Sequence, residues 1–245
     1  MGRPRRVDAA GYCYHLLNRA VGRQMIFQKD GDFEAFEAVL AEAVERSNGR
    51  VQLLAYCVMG NHWHLVVRTT TDGALSPFMK WLTLTHTQRY QVAHQHVGYG
   101  PVYQGRFKSF IIESGEHLLQ VCRYVERNAA RASLVERAED WRWSSLWWWR
   151  NPNKANAATE PGQPELVLSP WPIKDLGTPM ADGSGRPRQW LRVVNTPQNE
   201  VELDALRHAV KKSRPYGGDR WSARIITKHD LTSTTRGRGR PPITD

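Results

Sequence analysis

Two histidines, His62 and His64, stand two positions apart at the start of an apolar run over residues 62–69. Side chains two apart on a strand point to the same face of a sheet. A strand here would therefore project both imidazoles together and turn Trp63 to the opposite face. Paired imidazoles suit a divalent metal ion. The pair does not specify which metal, and two structural strand histidines remain the alternative.

A second pair with chemical potential, Tyr124 and Asn128, lies four positions apart in a stretch that predicts a helix over 115–130. Residues four apart lie on one side of a helix, so the phenol and the amide would stand one turn from each other. The amide oxygen is a hard ligand that could complete a metal site begun by two histidines. A core-edge tyrosine and a helix-end asparagine are the structural alternative. The core-facing stripe of this helix is Leu118, Cys122 and Val125.

The elements that must position these residues follow from hydrophobic periodicity. The predicted strands are residues 12–18, 51–58, 62–69 and 106–113. The predicted helices are residues 30–47, 75–95 and 115–130. The order β-α-β-β-α-β followed by a helix is that of the α+β, ferredoxin-like split βαβ fold, with a four-stranded antiparallel sheet and two helices on one face. This fold carries many functions, so the function must come from a site.

Composition divides the chain into four predicted parts. Residues 1–150 hold the folded domain, and residues 151–187, rich in Pro, Gly, Asn and Ala, form a linker or long loop. Residues 188–231 form a basic C-terminal segment with a helix over 198–213. Residues 232–245 are predicted to be a disordered basic tail.

The charge distribution points to a polyanionic partner. The net charge is +10, and residues 205–245 hold ten Lys or Arg against three Asp or Glu. Residues 236–241 read Arg-Gly-Arg-Gly-Arg-Pro, which is similar to an AT-hook that lies in a narrow minor groove. The triplet Gly-Arg-Pro occurs at residues 2–4, 185–187 and 239–241. Chance recurrence of this triplet, or a solvated charged face, is the alternative. No stretch of 18 apolar residues predicts a membrane span. Three isolated cysteines fit a reducing, cytoplasmic setting.

These segments together resemble the single-tyrosine transposases of the HUH endonuclease superfamily, and among them the REP-associated tyrosine transposases. Residues 60–64 carry the His-hydrophobic-His signature after Gly-Asn, and residues 123–132 are similar to the catalytic-helix segment of that family. Residues 100–109 resemble the segment that leads into a strand in REP-associated transposases, and the Arg-Gly-Arg-Pro tail is also similar to the tail of these proteins. The resemblance covers residues 10–150 well and the tail loosely. Family members often have Pro where Ala129 stands, which affects how the helix ends.

The resemblance implies a metal-dependent endonuclease and strand transferase that acts on single-stranded DNA. Tyr124 would be the nucleophile, and His62, His64 and Asn128 would hold Mg²⁺ or Mn²⁺. The product would be a 5′-phosphotyrosine link and a free 3′-OH, on REP-like hairpins in the nucleoid of a bacterial cytoplasm, by a monomer or a homodimer. The residues expected to contact DNA are Arg106, Lys108, Arg123, Arg127, Arg131, Arg238 and Arg240.

A free phenol titrates near pH 10, so a tyrosine is a weak nucleophile at neutral pH unless its target is polarised. Plain hydrolysis would need water and no tyrosine, whereas a covalent intermediate conserves the phosphodiester and allows rejoining without ATP. Two other interpretations of the sequence remain open. One is a non-catalytic nucleic-acid-binding module on the same ferredoxin-like fold. The other is a zinc hydrolase, which would want a third histidine or a carboxylate ligand and an activating glutamate.

Overall fold

Short apolar runs and amphipathic stretches alternate in the first half of the chain and become the strands and helices of one sheet. The computed structural model describes residues 6–152, 164–173 and 182–235. The strands are β1 Cys13–Arg19, β2 Val51–Met59, β3 His62–Thr69 and β4 Lys108–Ile112. The helices of this half are α1 Asp30–Arg46, α2 Leu75–Ala93 and α3 Glu116–Glu126.

The four strands form an open antiparallel sheet in the order β2-β3-β1-β4. This order and the helix positions confirm the α+β, ferredoxin-like prediction. The bounds differ by a few residues at the ends: β4 begins at Lys108 instead of 106, and the last helix is interrupted at Arg127. A four-residue helix, α4 Asn128–Arg131, follows.

Strand β3 buries both of its faces. Trp63, Leu65 and Val67 point into the core that α1 and α2 fill, whereas Val66 joins a second apolar cluster with α3. The alternation predicted from sequence therefore sets the two histidines on the α3 face of the sheet. A residue shift between Leu53 and Ala55 marks a bulge in the neighbouring strand β2.

The second half of the chain packs around the sheet and helix α3, and Tyr216 forms a single parallel bridge with Ile112 at the β4 edge of the sheet. Its helices are α5 Ser145–Arg150, α6 Trp190–Asn195, α7 Glu200–Lys212 and α8 Asp219–Lys228. Helix α7, predicted over 198–213, begins after Asn199, whose side chain accepts from the Glu202 backbone N–H, and ends at the left-handed Ser213.

Residues 164–173, which fall within the predicted linker or loop, have irregular backbone, and Trp171 among them is buried and donates to the Leu54 carbonyl at 2.8 Å. The predicted tail lies mostly outside the described residues, which end at 235. In the described parts of the chain, no helix combines the length and apolar character that crossing a membrane requires.

Candidate active site

The two histidines of β3 meet on one face of the sheet, as their spacing requires. Their ring centroids lie 5.1 Å apart. Trp63 between them points the other way and donates from Nε1 to the Tyr103 hydroxyl at 2.9 Å. Trp63 is therefore anchored by a buried hydrogen bond on the face of the sheet opposite to the two histidines.

The proton position on His62 is determined by its neighbour. His62 Nδ1 lies 2.6 Å from the Asn61 side-chain oxygen, and the Asn61 amide nitrogen donates to the Arg23 carbonyl at 3.2 Å. That second bond fixes the orientation of the amide, so its oxygen faces the ring. Because an amide oxygen only accepts, His62 Nδ1 carries the proton and Nε2 keeps its lone pair.

His64 is buried, and its Nδ1 is also occupied, by His15 Nε2 at 2.8 Å. For both histidines Nε2 is therefore the nitrogen left for a ligand. Burial lowers the pKa of His62 to about 4, helped by Arg19 and Arg131, and lowers the pKa of His64 well below its ordinary value. Desolvation disfavours the imidazolium, so both rings are neutral at pH 7, the form that binds a metal.

Tyr124 comes to the same face of the sheet from helix α3. Its ring lies 5.7 Å from that of His64 and 6.3 Å from that of His15, and only 8% of the side chain is exposed. The apolar stripe predicted for this helix is fully buried, and it sets the rotation of α3 that turns the tyrosine toward the imidazoles.

Asn128 stands at the start of α4, next to the same tyrosine. Its Oδ1 accepts from Arg131 Nη2 at 2.6 Å, and the Arg131 guanidinium lies 4.1 Å from the centre of the Tyr124 ring. Asn128 Nδ2 is buried and has no hydrogen-bond partner. Arg131 thus joins the asparagine to the tyrosine.

These donors fit a divalent ion in part. His62 Nε2 offers a lone pair, His64 Nε2 offers one when His64 Nδ1 carries the proton, and Asn128 Oδ1 has one lone pair beyond the one that Arg131 uses. Within the described ranges, no three His, Cys, Asp or Glu side chains gather as a metal-holding group. A metal here would therefore depend on the amide and on oxygens of water or substrate, which Mg²⁺ commonly keeps.

A cleft of about 560 Å³ opens beside Tyr124. It is lined by β1, β4 and α7, and no Asp or Glu is among its described lining residues. The cationic residues that line it are Arg6, Arg19, Arg106, Lys108, Arg207 and Lys211. His62, His64 and Asn128 are not among the lining residues, so the tyrosine lies between the imidazoles and the cleft.

Of the arginines and lysines expected from sequence to contact DNA, Arg106 and Lys108 line this cleft. Arg123 donates instead to the carbonyls of Thr196 and Pro197. Arg127 donates to those of Val194 and Asn195, at the end of α6. Cationic side chains satisfy carbonyls at the C-terminal end of a helix, so these two arginines hold α6 to α3. Their placement gives no support to the expected DNA contact. Arg238 and Arg240 lie outside the described residues.

The sequence did not predict which cationic residues from distant segments of the chain would line the cleft. Arg207 and Lys211 stand four apart on α7, a spacing that places both on one side of a helix. That spacing was the available signal, but it did not indicate which way the side faces. His15 was missed too, although it lies in a predicted strand.

On the side of α3 away from the cleft, Glu126 is completely buried and accepts three hydrogen bonds. The donors are Arg186 at 2.8 Å, Trp190 at 2.6 Å and Ser145 at 2.7 Å. Arg186 belongs to one of the Gly-Arg-Pro triplets, but it lies over the rings of Trp149 and Trp171 and is buried. That triplet is therefore part of the fold instead of a free DNA hook.

Comparison with known proteins gives a family and several structural likenesses. The family model described as "Transposase IS200 like" matches residues 9–128. The solved REP-associated tyrosine transposase bound to a REP hairpin is 15% identical, over 69% of this chain and 100% of that one, with a TM-score of 0.48. A transposase candidate from Deinococcus radiodurans R1 is 21% identical, over 51% of this chain and 96% of that one, with a TM-score of 0.37. No curated protein matches the chain.

The family match spans all four strands, helices α1 to α3 and both candidate motifs. Its last residue is Asn128, so it ends where the candidate site ends. Over residues 9–128, the chain belongs to the IS200-like transposases, a family of DNA-processing enzymes.

Proposed function

We propose that this chain is a single-tyrosine endonuclease and strand transferase that cuts and rejoins single-stranded DNA. The observation that carries the proposal is the position of Tyr124, whose ring packs against His64 and also borders a cleft lined by six cations. A phosphate in that cleft would have a nucleophile and positive charge beside it. Phosphate contacts of this kind position a nucleic acid without reading its sequence.

In the proposed step, the phenolic oxygen of Tyr124 attacks the scissile phosphorus. The new O–P bond forms as the bond from phosphorus to the 3′-oxygen breaks. The phenolic proton is lost to solvent, and the leaving 3′-oxygen gains a proton to become a 3′-OH. A 3′-OH that attacks the 5′-phosphotyrosine reverses the step and rejoins a strand, because the bond energy stays in the phosphodiester.

His62 and His64 present two lone pairs for a divalent ion, and Asn128 presents one oxygen. When bound, Mg²⁺ or Mn²⁺ would supply electrophilic stabilisation of the negative charge that develops on the phosphate. The residues of the chain do the remaining work. Arg131, stacked on the Tyr124 ring, limits the ring's rotation, and the cations of the cleft hold the phosphates on either side of the cut.

The substrate we propose is a REP-like hairpin with a single-stranded flank. The resemblance of residues 100–109 and of the Arg-Gly-Arg-Pro tail to REP-associated transposases motivates this choice. Burial of Tyr124 to 8% exposure also favours a flexible strand, since a stacked duplex cannot bring its phosphates against a recessed phenol easily. Such a substrate would put the protein at the bacterial nucleoid.

The test is a denaturing gel of hairpin oligonucleotides incubated with Mn²⁺ or Mg²⁺. With a 3′-end label, we expect a shifted protein–DNA band, because the fragment downstream of the cut keeps the 5′-phosphate. With a 5′-end label, we expect a shorter free fragment. Tyr124→Phe should remove the adduct, and Tyr99→Phe, at a tyrosine that is 84% exposed, should leave it unchanged. An adduct of normal yield from Tyr124→Phe would refute the proposed nucleophile.

One observation favours the binding-only alternative. Asn128 Oδ1 is already engaged by Arg131, so the third metal donor is shared. A protein that binds the hairpin, yet forms no adduct and releases no fragment with either metal, would be a non-catalytic nucleic-acid-binding module.

A further inference from the structure

The hydrogen bond between His15 and His64 singles out a residue that neither the motifs nor the chemistry above use. His15 lies at the centre of β1 and is buried. In the sheet register it stands opposite Val66, and Leu17 stands opposite His64. His15 and His64 are therefore diagonal neighbours on one face, within reach of each other's rings.

The surroundings of His15 are apolar apart from this bond. Its ring centroid lies 4.8 Å from that of Phe110 and 6.3 Å from that of Tyr124. Its Nε2 lies 2.8 Å from His64 Nδ1. A polar group buried in such surroundings is usually hydrogen-bonded, and for His64 Nδ1 the described partner is His15.

The two histidines share one proton in that bond, and its position decides what His64 can do. If His64 Nδ1–H donates to His15 Nε2, then His64 Nε2 keeps its lone pair. If His15 donates instead, the proton of a neutral His64 must sit on its Nε2 and block that nitrogen. Only the first arrangement leaves His64 able to bind a metal.

His62 has no such choice. Its Nδ1 faces the Asn61 amide oxygen, which can only accept, and the amide is held in that orientation by Arg23. The tautomer of His62 is thus fixed by the Asn61 amide oxygen. The tautomer of His64 depends on His15, which can either donate or accept.

We propose that His15 is a positioning residue that holds His64 in the Nδ1-protonated tautomer and fixes its ring for metal binding. The inference rests on the proposed metal centre at His62 and His64. Partners that accept from the second nitrogen of a ligating histidine typically change metal affinity about 10–100-fold when they are removed.

Two substitutions separate this role from simple core packing. His15→Phe fills the space beside Phe110 and removes the acceptor, whereas His15→Gln keeps an amide oxygen that can accept. His86 offers a matched control, because it too is buried and hydrogen-bonded, to the Tyr103 hydroxyl at 2.8 Å, but in the core that α1 and α2 fill. His86→Gln therefore changes a buried histidine on the opposite face of the sheet, where its described ring contacts are Phe27, Phe36, Tyr90 and Tyr103.

The experiment measures Mn²⁺ binding to the full chain by electron paramagnetic resonance titration, without DNA, with thermal melting of each variant in chelator. We expect His15→Phe to weaken Mn²⁺ binding about 10–100-fold, His15→Gln to recover most of it, and His86→Gln to leave it unchanged. Wild-type affinity in folded His15→Phe, or His15→Gln as weak as His15→Phe, would overturn the inference.

Nitrogen-15 NMR of histidine-labelled wild-type protein with Mg²⁺ keeps the inference testable if His15→Phe does not fold. His64 protonated at Nδ1 is the expected result, and His64 protonated at Nε2 would overturn the inference. The proposed metal centre fails separately, if wild-type protein binds no Mn²⁺ or if His62→Ala binds it as tightly as wild type.

Discussion

The two sides of helix α3 differ in how their buried polar groups are engaged. On the closed side, the Glu126 carboxylate accepts from three donors and is fully enclosed, and Nε of its partner Arg186 is buried without a hydrogen-bond partner. On the open side, Asn128 Nδ2 and Arg131 Nη1 are buried without partners, as is the nearby Arg19 Nε. An unsatisfied buried polar group costs about 1–3 kcal/mol, and such groups concentrate at functional sites. The enclosed carboxylate anchors the helix, and the open side has unpartnered donors beside Tyr124 that are available for a substrate.

The closed side should carry the stability of the helix. Glu126→Ala leaves the Arg186 guanidinium buried without its carboxylate, so we expect a loss of about 3–5 kcal/mol in the free energy of unfolding. Urea denaturation measures it. Glu116→Ala, at an exposed position in the first turn of the same helix, should change stability by less than about 0.5 kcal/mol. Equal effects of the two variants would erase the distinction between the sides.

On the open side of α3, we expect a substitution to lower activity more than stability. Asn128→Ala removes an amide nitrogen without a partner and the one hydrogen bond that Oδ1 accepts from Arg131, so we expect the free energy of unfolding to fall by about 1 kcal/mol while DNA cleavage and Mn²⁺ affinity fall by on the order of 10–100-fold. Asn128→Asp supplies a charged oxygen ligand and should bind Mn²⁺ at least as tightly as wild type. A large loss of stability with unaltered cleavage in Asn128→Ala would make this residue structural.

The dependence of stability on acidic pH should test whether the buried imidazoles are neutral in the folded protein. Burial lowers the pKa of His62 and of His86 to about 4, below the ordinary value of 6.5. The unfolded chain then binds protons first, so stability is full above pH 6.5 and falls as the pH drops toward 4. Each such histidine contributes a slope of about 1.4 kcal/mol per pH unit. Urea denaturation at pH 7.5, 6 and 5 should show a shallower decline for His86→Gln, and a decline identical to wild type would contradict the effect of burial.

The smallest expected effect belongs to the rim of the cleft. Arg207 is exposed and pairs with Asp204 and Glu200, so its removal should cost little stability. We expect Arg207→Ala to weaken hairpin binding several-fold and to reduce the slope of log affinity against log salt by roughly one. Fluorescence anisotropy over a salt series measures both quantities. Arg192→Ala, an exposed arginine on α6, should leave the slope unchanged; an equal change would remove α7 from the interface.

The periodicity of the sequence was enough to predict which residues meet on the open side of α3. It was not enough to predict the contacts on the closed side. The alternation around Trp63 and the apolar stripe of α3 are local patterns, and they set the faces on which the histidines and Tyr124 meet. The Glu126–Arg186 pair joins residues 60 positions apart, and nothing local marks either partner. Helix α6 has six residues, too few for a periodic signal.

The loop prediction for residues 151–187 illustrates the same limit. A composition rich in Pro and Gly indicates irregular backbone, which residues 164–173 have, but it does not report burial. Trp171 and Arg186 of this segment are both buried against the domain. The role of His15 could not be predicted from the sequence either, because it depends on His64, which is 49 residues away and is brought near by the register of the sheet.

The central claim is that Tyr124 forms the covalent bond to DNA, and peptide mass spectrometry of the purified adduct tests it most directly. Trypsin cuts after Arg123 and Arg127, so the intervening peptide contains Tyr124 as its single tyrosine. After nuclease trimming of the DNA, we predict the mass of the remaining nucleotide on that peptide. The same mass on a peptide that lacks Tyr124 would contradict the account.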